Sequence, residues 1–303
     1  MSNNFQPTTK SVIVNDKFSK KLFQYDAKTF RKDLNSVNDN KLSEGRKKIK
    51  GKVTEFFSYF KISLVGNYPA VGFFLDHFDR AVFTACVSEY ENGNKDISVG
   101  VIYRHITGKA SGEHQTPTKT QIDDILNSVQ KLRSLKFSIN MKSICDAYNY
   151  RLKNPTVEGV ILPCTLQEKK LRGQSATLIQ MTAESPLLTI ARAKGQILTI
   201  ERQLLDTANS HNSRAVISTK FYSLIRVVET LGIQKLTPTI TFDDVFEKCH
   251  LSDATRKTKM FCRNSIVTLF VNLKNAGLIS DFELVKKDGA FSYFKFKKSS
   301  LKK

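Results

Sequence analysis

The chain has 303 residues, of which 40% are hydrophobic and 21 are Phe, so two domains with a sizeable core are expected and general disorder is excluded. The 48 Lys and Arg outnumber the 28 Asp and Glu, giving a formal net charge of +20. Such a balance indicates an anionic partner, nucleic acid first and a membrane surface second. No apolar run approaches the ~18 residues of a membrane span and the N-terminus lacks an apolar signal segment, so a cytoplasmic protein is expected.

The positive charge is concentrated at the two ends of the chain. Residues 1–52 have a net charge of +8 and residues 254–303 a net charge of +9, whereas residues 53–253 have only +3. The first of these segments ends in the basic run Arg46-Lys47-Lys48-Ile49-Lys50-Gly51-Lys52. We therefore expect residues 1–60 to form a basic arm that grips a polyanion, or else a solvated tail.

The first predicted elements are helical. Apolar residues at helical spacing predict three helices, over residues 78–91, 99–107 and 118–134. Gly93 and Gly108 end the first two, because glycine readily adopts the positive φ of a helix end. The third helix begins with Thr116 or Thr118 as its N-cap, and Thr118-x-x-Gln121 has the residue types of a capping box.

The apolar pattern changes to strict alternation after Ser134. Strands are predicted at residues 136–141, 158–165 and 176–181. The polar stretch 146–155 and the basic stretch 168–174 are expected to connect them. Three helices followed by a small antiparallel sheet are typical of a winged helix-turn-helix domain.

A second set of similar elements follows the polar stretch 209–212, which is the best candidate for a domain boundary. A long helix ends at Gly232, and Thr241-x-x-Asp244 begins a short helix. A third helix contains an apolar stripe up to Leu273 and ends at Gly277. Strands at residues 282–285 and 291–296 then flank the turn sequence Lys286-Lys287-Asp288-Gly289.

The same order of elements thus occurs twice without repetition of the sequence itself. We predict an α+β fold with two tandem winged helix-turn-helix domains and small antiparallel wings. The predicted divisions are a basic N-terminal arm at 1–60, a first winged-helix domain at 61–208 and a second at 209–303. The first domain is expected to dimerise and contact the DNA backbone, and the second to bind DNA sequence-specifically.

The third helix of such a domain enters the major groove, where its first turns face the base edges. In the second domain these turns carry side chains suited to bases and phosphates: Arg256, Lys257, Lys259, Arg263 and Asn264. In the first domain they carry Thr118, Lys119 and Gln121, and the second wing adds Lys286 and Lys287. No acidic residue lies between Arg256 and Leu278, so the second helix is the expected DNA reader. An ordinary solvated helix face is the alternative for both, and Asp123 and Asp124 strengthen that alternative for the first.

Sequence motifs for catalysis or metal binding are incomplete. Gly108-Lys109 lacks the other residues of a phosphate-binding loop. The five cysteines show no C-x-x-C spacing, and we expect small buried side chains in a reducing compartment rather than ligands, Cys249-His250 included. No enzyme, cofactor or metal is therefore expected. The catalytic alternative is a DNA-nicking nuclease with Tyr148 or Tyr150 as the nucleophile.

The tandem arrangement resembles the plasmid replication initiator (Rep) proteins of the iteron-binding type. The resemblance rests on residues 77–83, 91–94, 97–99, 122–135 and 218–296. It implies a protein without catalysis that binds double-stranded DNA at origin repeats, recruits host replication proteins and forms a homodimer through its first domain. The residues that would read the repeats by position are Arg256, Lys257, Lys259, Arg263 and Asn264.

A transcriptional regulator of the same fold is the alternative within the DNA-binding class. Protection of tandem repeats favours an initiator, whereas protection of one operator upstream of a gene favours a regulator. The long basic arm departs from the pattern of the initiator family, and its role stays open.

Overall fold

A computed structural model of the chain describes residues 9–14, 23, 60–64, 75–109, 116–140, 156–171, 174–193, 195–207, 213–232, 238–287 and 290–298. The first elements are β1 (Lys10–Val14), β2 (Phe60–Leu64), α1 (His77–Glu91), β3 (Asp96–Ser98), α2 (Val99–Thr107), α3 (Lys119–Ser134), β4 (Leu135–Asn140) and β5 (Thr156–Val160). Next come β6 (Cys164–Leu171), β7 (Gln174–Met181), α4 (Pro186–Ala193), β8 (Ile197–Glu201) and a 3-10 helix at Arg202–Leu205. The last are α5 (Arg214–Gly232), β9 (Thr239–Thr241), α6 (Phe242–Lys248), α7 (Arg256–Asn275), β10 (Ile279–Lys287) and β11 (Ala290–Lys298).

Two units of the chain share an order of elements. In the first unit (75–181), α1, β3, α2 and α3 come before the hairpin of β6 and β7, with β4 and β5 of another sheet between α3 and that hairpin, and the sheet order is β3-β7-β6. In the second unit (213–298), α5, β9, α6 and α7 are followed by the hairpin of β10 and β11, and the sheet order is β9-β11-β10. Both short strands pair antiparallel with the second hairpin strand. The predicted α+β class is therefore confirmed.

The helix ends follow the predicted local chemistry. Thr118 caps α3, and its hydroxyl and Gln121 form both hydrogen bonds of a capping box. Pro117 directly precedes this cap. At α6, the Thr241 hydroxyl accepts from the Asp244 amide at 3.0 Å. Glycines in the left-handed region follow three helices as predicted: Gly93, Gly108 and Gly277.

The single strand predicted at residues 158–165 is wrong, because the chain forms two strands of different sheets there. β5 pairs with β4, whereas β6 pairs with β7. Pro163 lies between them and cannot donate a hydrogen bond to a strand ladder. The predicted connection at residues 168–174 is corrected as well, since β6 continues to Leu171 and β7 begins at Gln174.

Part of the predicted N-terminal arm is a buried strand. β1 pairs antiparallel with β8 over its full length, and Ile13 is completely buried. The Ser11 hydroxyl lies 2.8 Å from Nε2 of His105 in α2, and the Val12 amide donates to the Ser88 hydroxyl of α1 at 2.8 Å. Residues 9–14 are therefore not a solvated arm, and most of the remaining arm lies outside the described residues. A β-branched Val-Ile-Val run can form such a strand only when distant residues supply its partner.

Helix α4 and strand β8 were not predicted from the sequence. Proline is favoured at the first position of a helix, and Pro186 occupies it here. The Ser185 hydroxyl donates to the Ile161 carbonyl at 2.7 Å, and Leu187 and Leu188 are fully buried. The dipeptide Ser185-Pro186 before this apolar pair was the signal that could have identified the helix.

The two units share one hydrophobic core, because α5 packs against both α1 of the first unit and α7 of the second. Lys220 of α5 is fully buried, and its ammonium donates to the carbonyls of Thr107 and Leu205. Nearby, Lys109 forms an ion pair with Asp206 at 3.1 Å. The end of α2 and the segment 202–207, which we call the connecting segment, are thus fixed to α5.

Helix α7 is bound to the same connecting segment. The Asn272 side-chain amide donates to the carbonyls of Leu204 at 3.1 Å and of Asp206 at 2.8 Å. Gly108 approaches this segment so closely that a Cβ atom would lie 2.1 Å from the Asp206 amide nitrogen. The hydrogen bonds of Asn272 therefore hold α7 on the connecting segment. A larger side chain at position 108 would push this segment away from the first unit.

An ionic network adds a second connection between the units. Nη2 of Arg214, the first residue of α5, donates to Oδ2 of Asp76 at 2.7 Å, and its Nη1 lies 3.8 Å from Asp124. Asp79 is completely buried and pairs with Lys131 of α3 at 3.1 Å. Burial, together with the negative charge of Asp76, raises the pKa of Asp79 to about 6.

We predict that Gly108→Ala destabilises the protein by about 2–4 kcal/mol, because it combines a positive φ with overlap against the connecting segment. Gly93→Ala is the matched control, since Gly93 has φ +87 and nothing lies within 4 Å of the point where its Cβ atom would be. That control should lose only about 1–2 kcal/mol. Urea denaturation measures both losses, and equal values would show that the close approach at Gly108 contributes nothing.

The buried ammonium of Lys220 predicts a specific pH dependence. Burial lowers the pKa of Lys220 to about 7 from 10.5, so the unfolded chain binds more protons between these two values. The free energy of unfolding should therefore rise with pH in this window, by about 2 kcal/mol from pH 7.5 to 9.5, relative to Lys220→Met. Denaturation at several pH values measures the difference, with the exposed Lys248→Met as control. Parallel curves for wild type and Lys220→Met would contradict the prediction.

Candidate nucleic-acid interface

Helix α7 is held by a cap and by a buried apolar stripe. The Thr255 hydroxyl accepts from the Thr258 amide at 3.2 Å and begins the helix. The stripe consists of completely buried side chains: Cys262, Ile266, Leu269, Phe270 and Leu273. The Phe270 ring stacks on Phe294 of β11 with centroids 4.4 Å apart. One face of α7 is thereby packed against the hairpin, and the opposite face is left toward solvent.

The exposed face of α7 (Arg256, Lys257, Met260, Asn264 and Val271) carries positive charge and no carboxylate. Arg256 and Lys257 have no acidic side chain in ion-pair contact among the residues that the structure describes. Two basic residues of the first unit differ in this respect. Lys131 pairs with Asp79, and Lys169 pairs with Asp96 at 3.2 Å. The unneutralised cations of α7 make this face suited to an anionic partner.

Two of the predicted base-reading side chains turn toward the protein instead. The Arg263 guanidinium lies 5.1 Å from the ring centroid of Phe242 and 5.5 Å from that of Phe246. The Lys259 ammonium lies 5.6 Å from the Phe246 ring and donates to the Ser252 carbonyl. Both side chains therefore hold α6 against α7 through cation–π contacts. The sequence grouped them with Arg256 and Asn264 because spacing alone does not show which way a long side chain turns.

The turn between α6 and α7 begins with a buried cysteine. Cys249 ends α6, and its amide donates to the Val245 carbonyl at 3.0 Å. Burial raises the pKa of the Cys249 thiol well above its ordinary value. His250, which follows, has φ 57, an uncommon conformation for a residue with a side chain. These contacts agree with the predicted packing role of Cys249.

The β10–β11 hairpin adds basic side chains to the second unit, and the exposed carboxylates of Glu283 and Asp281 lie across the ladder from Lys295 and Lys297. Lys286 near its tip is exposed, as are Lys295 and Lys297 on β11. The ladder shifts register between Val285 and Lys286. The turn residues 288–289 and the side chain of the predicted contact Lys287 lie outside the described residues. The two strands of this hairpin, with 9 residues each, are longer than the predicted strands at 282–285 and 291–296.

The start of α3 is less suited to DNA than the start of α7. The side chains of Thr118 and Gln121 are both engaged in the capping box, in which the Thr118 amide donates to Gln121 Oε1 at 2.8 Å. Lys119 is exposed, but the acidic Asp123 is exposed on the same helix. Asp124 already contacts Arg214. The first unit thus brings together fewer polar groups suited to DNA at this position.

Other functional expectations divide between the described and undescribed residues. Four cysteines are buried as free thiols: Cys86, Cys164, Cys249 and Cys262. Cys145 and the alternative nucleophiles Tyr148 and Tyr150 lie outside the described residues. Within the described ranges, His, Cys, Asp and Glu side chains form no cluster of three or more that could hold a metal ion. None of the helices described is both long enough and apolar enough to cross a membrane.

No protein family model and no curated protein sequence matches this chain. Among solved structures, the chain is similar to a crystal structure of domain 2 and domain 3 of RctB, with a TM-score of 0.37 and 11% sequence identity. The similarity covers 79% of this chain and 86% of that chain. A TM-score this low does not establish a common fold.

We predict that Arg263→Ala lowers the free energy of unfolding by about 1–2 kcal/mol, because two aromatic contacts and the packing of the side chain are lost. The exposed Arg256→Ala is the control and should change it by less than about 0.5 kcal/mol. Urea denaturation of the three proteins measures both effects. Unchanged stability of Arg263→Ala, together with weaker DNA binding, would instead assign Arg263 to base recognition.

Proposed function

We propose that this chain is a double winged-helix protein that binds double-stranded DNA sequence-specifically and initiates replication of a plasmid or mobile element, without catalysis of its own. The observation that carries the DNA-binding part is the exposed face of α7, which is basic and free of carboxylates. In this proposal the second unit contacts DNA through α7, and the first unit helps to hold α7 in place.

The topology supports the winged-helix interpretation. In each unit a helix, a short strand, two further helices and a hairpin occur in this order, and the short strand completes a three-stranded sheet. The third helix of a helix-turn-helix domain lies in the major groove, with the N-terminal turns against base edges. Helix α7 is the third helix of the second unit, and the exposed Arg256 and Lys257 lie in its first turn, whereas Lys274 in its last turn pairs with Asp281.

The replication role rests on the resemblance of the tandem sequence pattern to iteron-binding initiators. It is tested by footprinting the full chain on DNA from beside its gene. Protection of several direct repeats supports initiation, whereas protection of one operator supports a transcriptional regulator. A covalent DNA adduct on Tyr148 or Tyr150 would replace the proposal with a nicking nuclease. Recruited host replication proteins and a homodimer through the first unit belong to the same proposal.

We predict that Arg256→Ala weakens DNA binding and reduces the salt dependence of the affinity by about one counterion. Lys274→Ala removes the same charge from the same helix, but Lys274 pairs with Asp281 at 2.7 Å. This control should leave the salt dependence nearly unchanged. Equilibrium binding at several salt concentrations measures both slopes. Identical slopes for wild type and Arg256→Ala would place the DNA contact elsewhere.

A further inference from the structure

The exposed face of α7 includes apolar side chains that the fold does not use. Met260 is 48% exposed and Val271 is 41% exposed, and these are the large hydrophobic residues left exposed in the described part of the chain. Both lie on one helix, on the face opposite its buried stripe. Apolar groups within a basic surface indicate a contact that requires more than charge.

Spacing places Met260 between two polar side chains. Arg256, Met260 and Asn264 follow one another at intervals of four residues, which brings neighbouring Cβ atoms within about 5–6 Å on one face of a helix. Lys259 and Arg263 are turned toward Phe246 and so do not compete for this face. The groups in this row are therefore one guanidinium, one thioether and one carboxamide, and the exposed ammonium of Lys257 lies beside them.

We propose that this face reads A·T base pairs, with Met260 against a thymine methyl group and Asn264 on an adjacent adenine. The inference rests on the proposed DNA-binding function and specifies its sequence preference. In the major groove only thymine presents a methyl group, and a carboxamide matches N6 and N7 of adenine. A thioether placed against the major-groove edge of a G·C pair would leave the hydrogen-bonding groups of that base pair without partners, which costs free energy.

Charge favours DNA over a second copy of the chain as the occupant of this face. Arg256 and Lys257 lie in the turn before Met260, and no carboxylate occurs anywhere in α7. A contact between two α7 helices would bring the cations of both copies to one interface without a carboxylate of either helix to neutralise them. A phosphate backbone beside the groove neutralises them instead.

The test starts from duplexes that the full-length protein selects from a random pool. In the selected site each thymine is replaced in turn by deoxyuridine, which lacks only the methyl group, and each adenine by 7-deazaadenine, which lacks the N7 acceptor. One deoxyuridine should weaken binding of the wild type by about fourfold, the effect of one buried methyl group. Met260→Ala should lose this response, and Asn264→Ala should lose the response to a 7-deazaadenine at a neighbouring base pair.

Val271→Ala is the matched control, because it shortens an equally exposed apolar side chain nearly two turns beyond Asn264 and should keep both responses. A wild type that is indifferent to every deoxyuridine would overturn the inference, and so would a Met260→Ala variant that keeps the full response. In both cases DNA binding itself would stand. If no sequence is enriched, the proposed function fails as well. If Met260→Ala changes the sedimenting mass and not the base response, the face is a protein interface.

Discussion

The buried hydrogen bonds around the connecting segment determine where α7 can lie. Lys220 of α5 and Asn272 of α7 donate to backbone carbonyls of this segment, and Gly108 of the first unit packs directly against it. Lys220 is fully buried, and a movement of α7 would break the Asn272 hydrogen bonds and leave the carbonyls of Leu204 and Asp206 without this donor. The exposed face of α7 is consequently presented by a rigid support that includes both units.

The charged residues of the first unit and those of α7 differ in how they are paired. The first unit neutralises some of its charge internally, as in the contacts of Lys131 with Asp79 at 3.1 Å and of Lys169 with Asp96 at 3.2 Å. Its junction with α5 is likewise an ion pair, between Arg214 and Asp76. In the N-terminal turns of α7 the cations either lie over aromatic rings or remain without carboxylate partners among the described residues. Positive side chains therefore stabilise the fold in the first unit, whereas in α7 some of them are available for binding.

Much of the helical framework could be predicted from the sequence, because periodicity and capping are local. Thr118 with Gln121, and the glycines at 93, 108 and 277, gave correct helix ends. The pairing of β1 with β8 could not be predicted, since it joins residues nearly two hundred positions apart. The strand break at Pro163 was missed because a continuous apolar run, Val160-Ile161-Leu162, leads up to it and Cys164 follows it.

The candidate site was predicted less well than the helices. An acid-free run of basic residues pointed to α7, but it could not separate the outward Arg256 and Asn264 from Lys259 and Arg263, which contact Phe246. That separation depends on the position of α6, which the local sequence does not determine. The exposure of Met260 could not be predicted either, because the sequence does not distinguish an exposed methionine from one in the core.

The central claim is that α7 lies in the major groove of a bound duplex. A DNA-cleaving iron chelate tethered to a cysteine introduced at Val271 tests it most directly, with the same reagent at the exposed Ala183 and reagent-treated wild type as controls. The account predicts cuts confined to a few base pairs within each protected repeat for position 271, and none there for position 183. Cuts from position 183 at the protected repeats, with none from position 271, would contradict it.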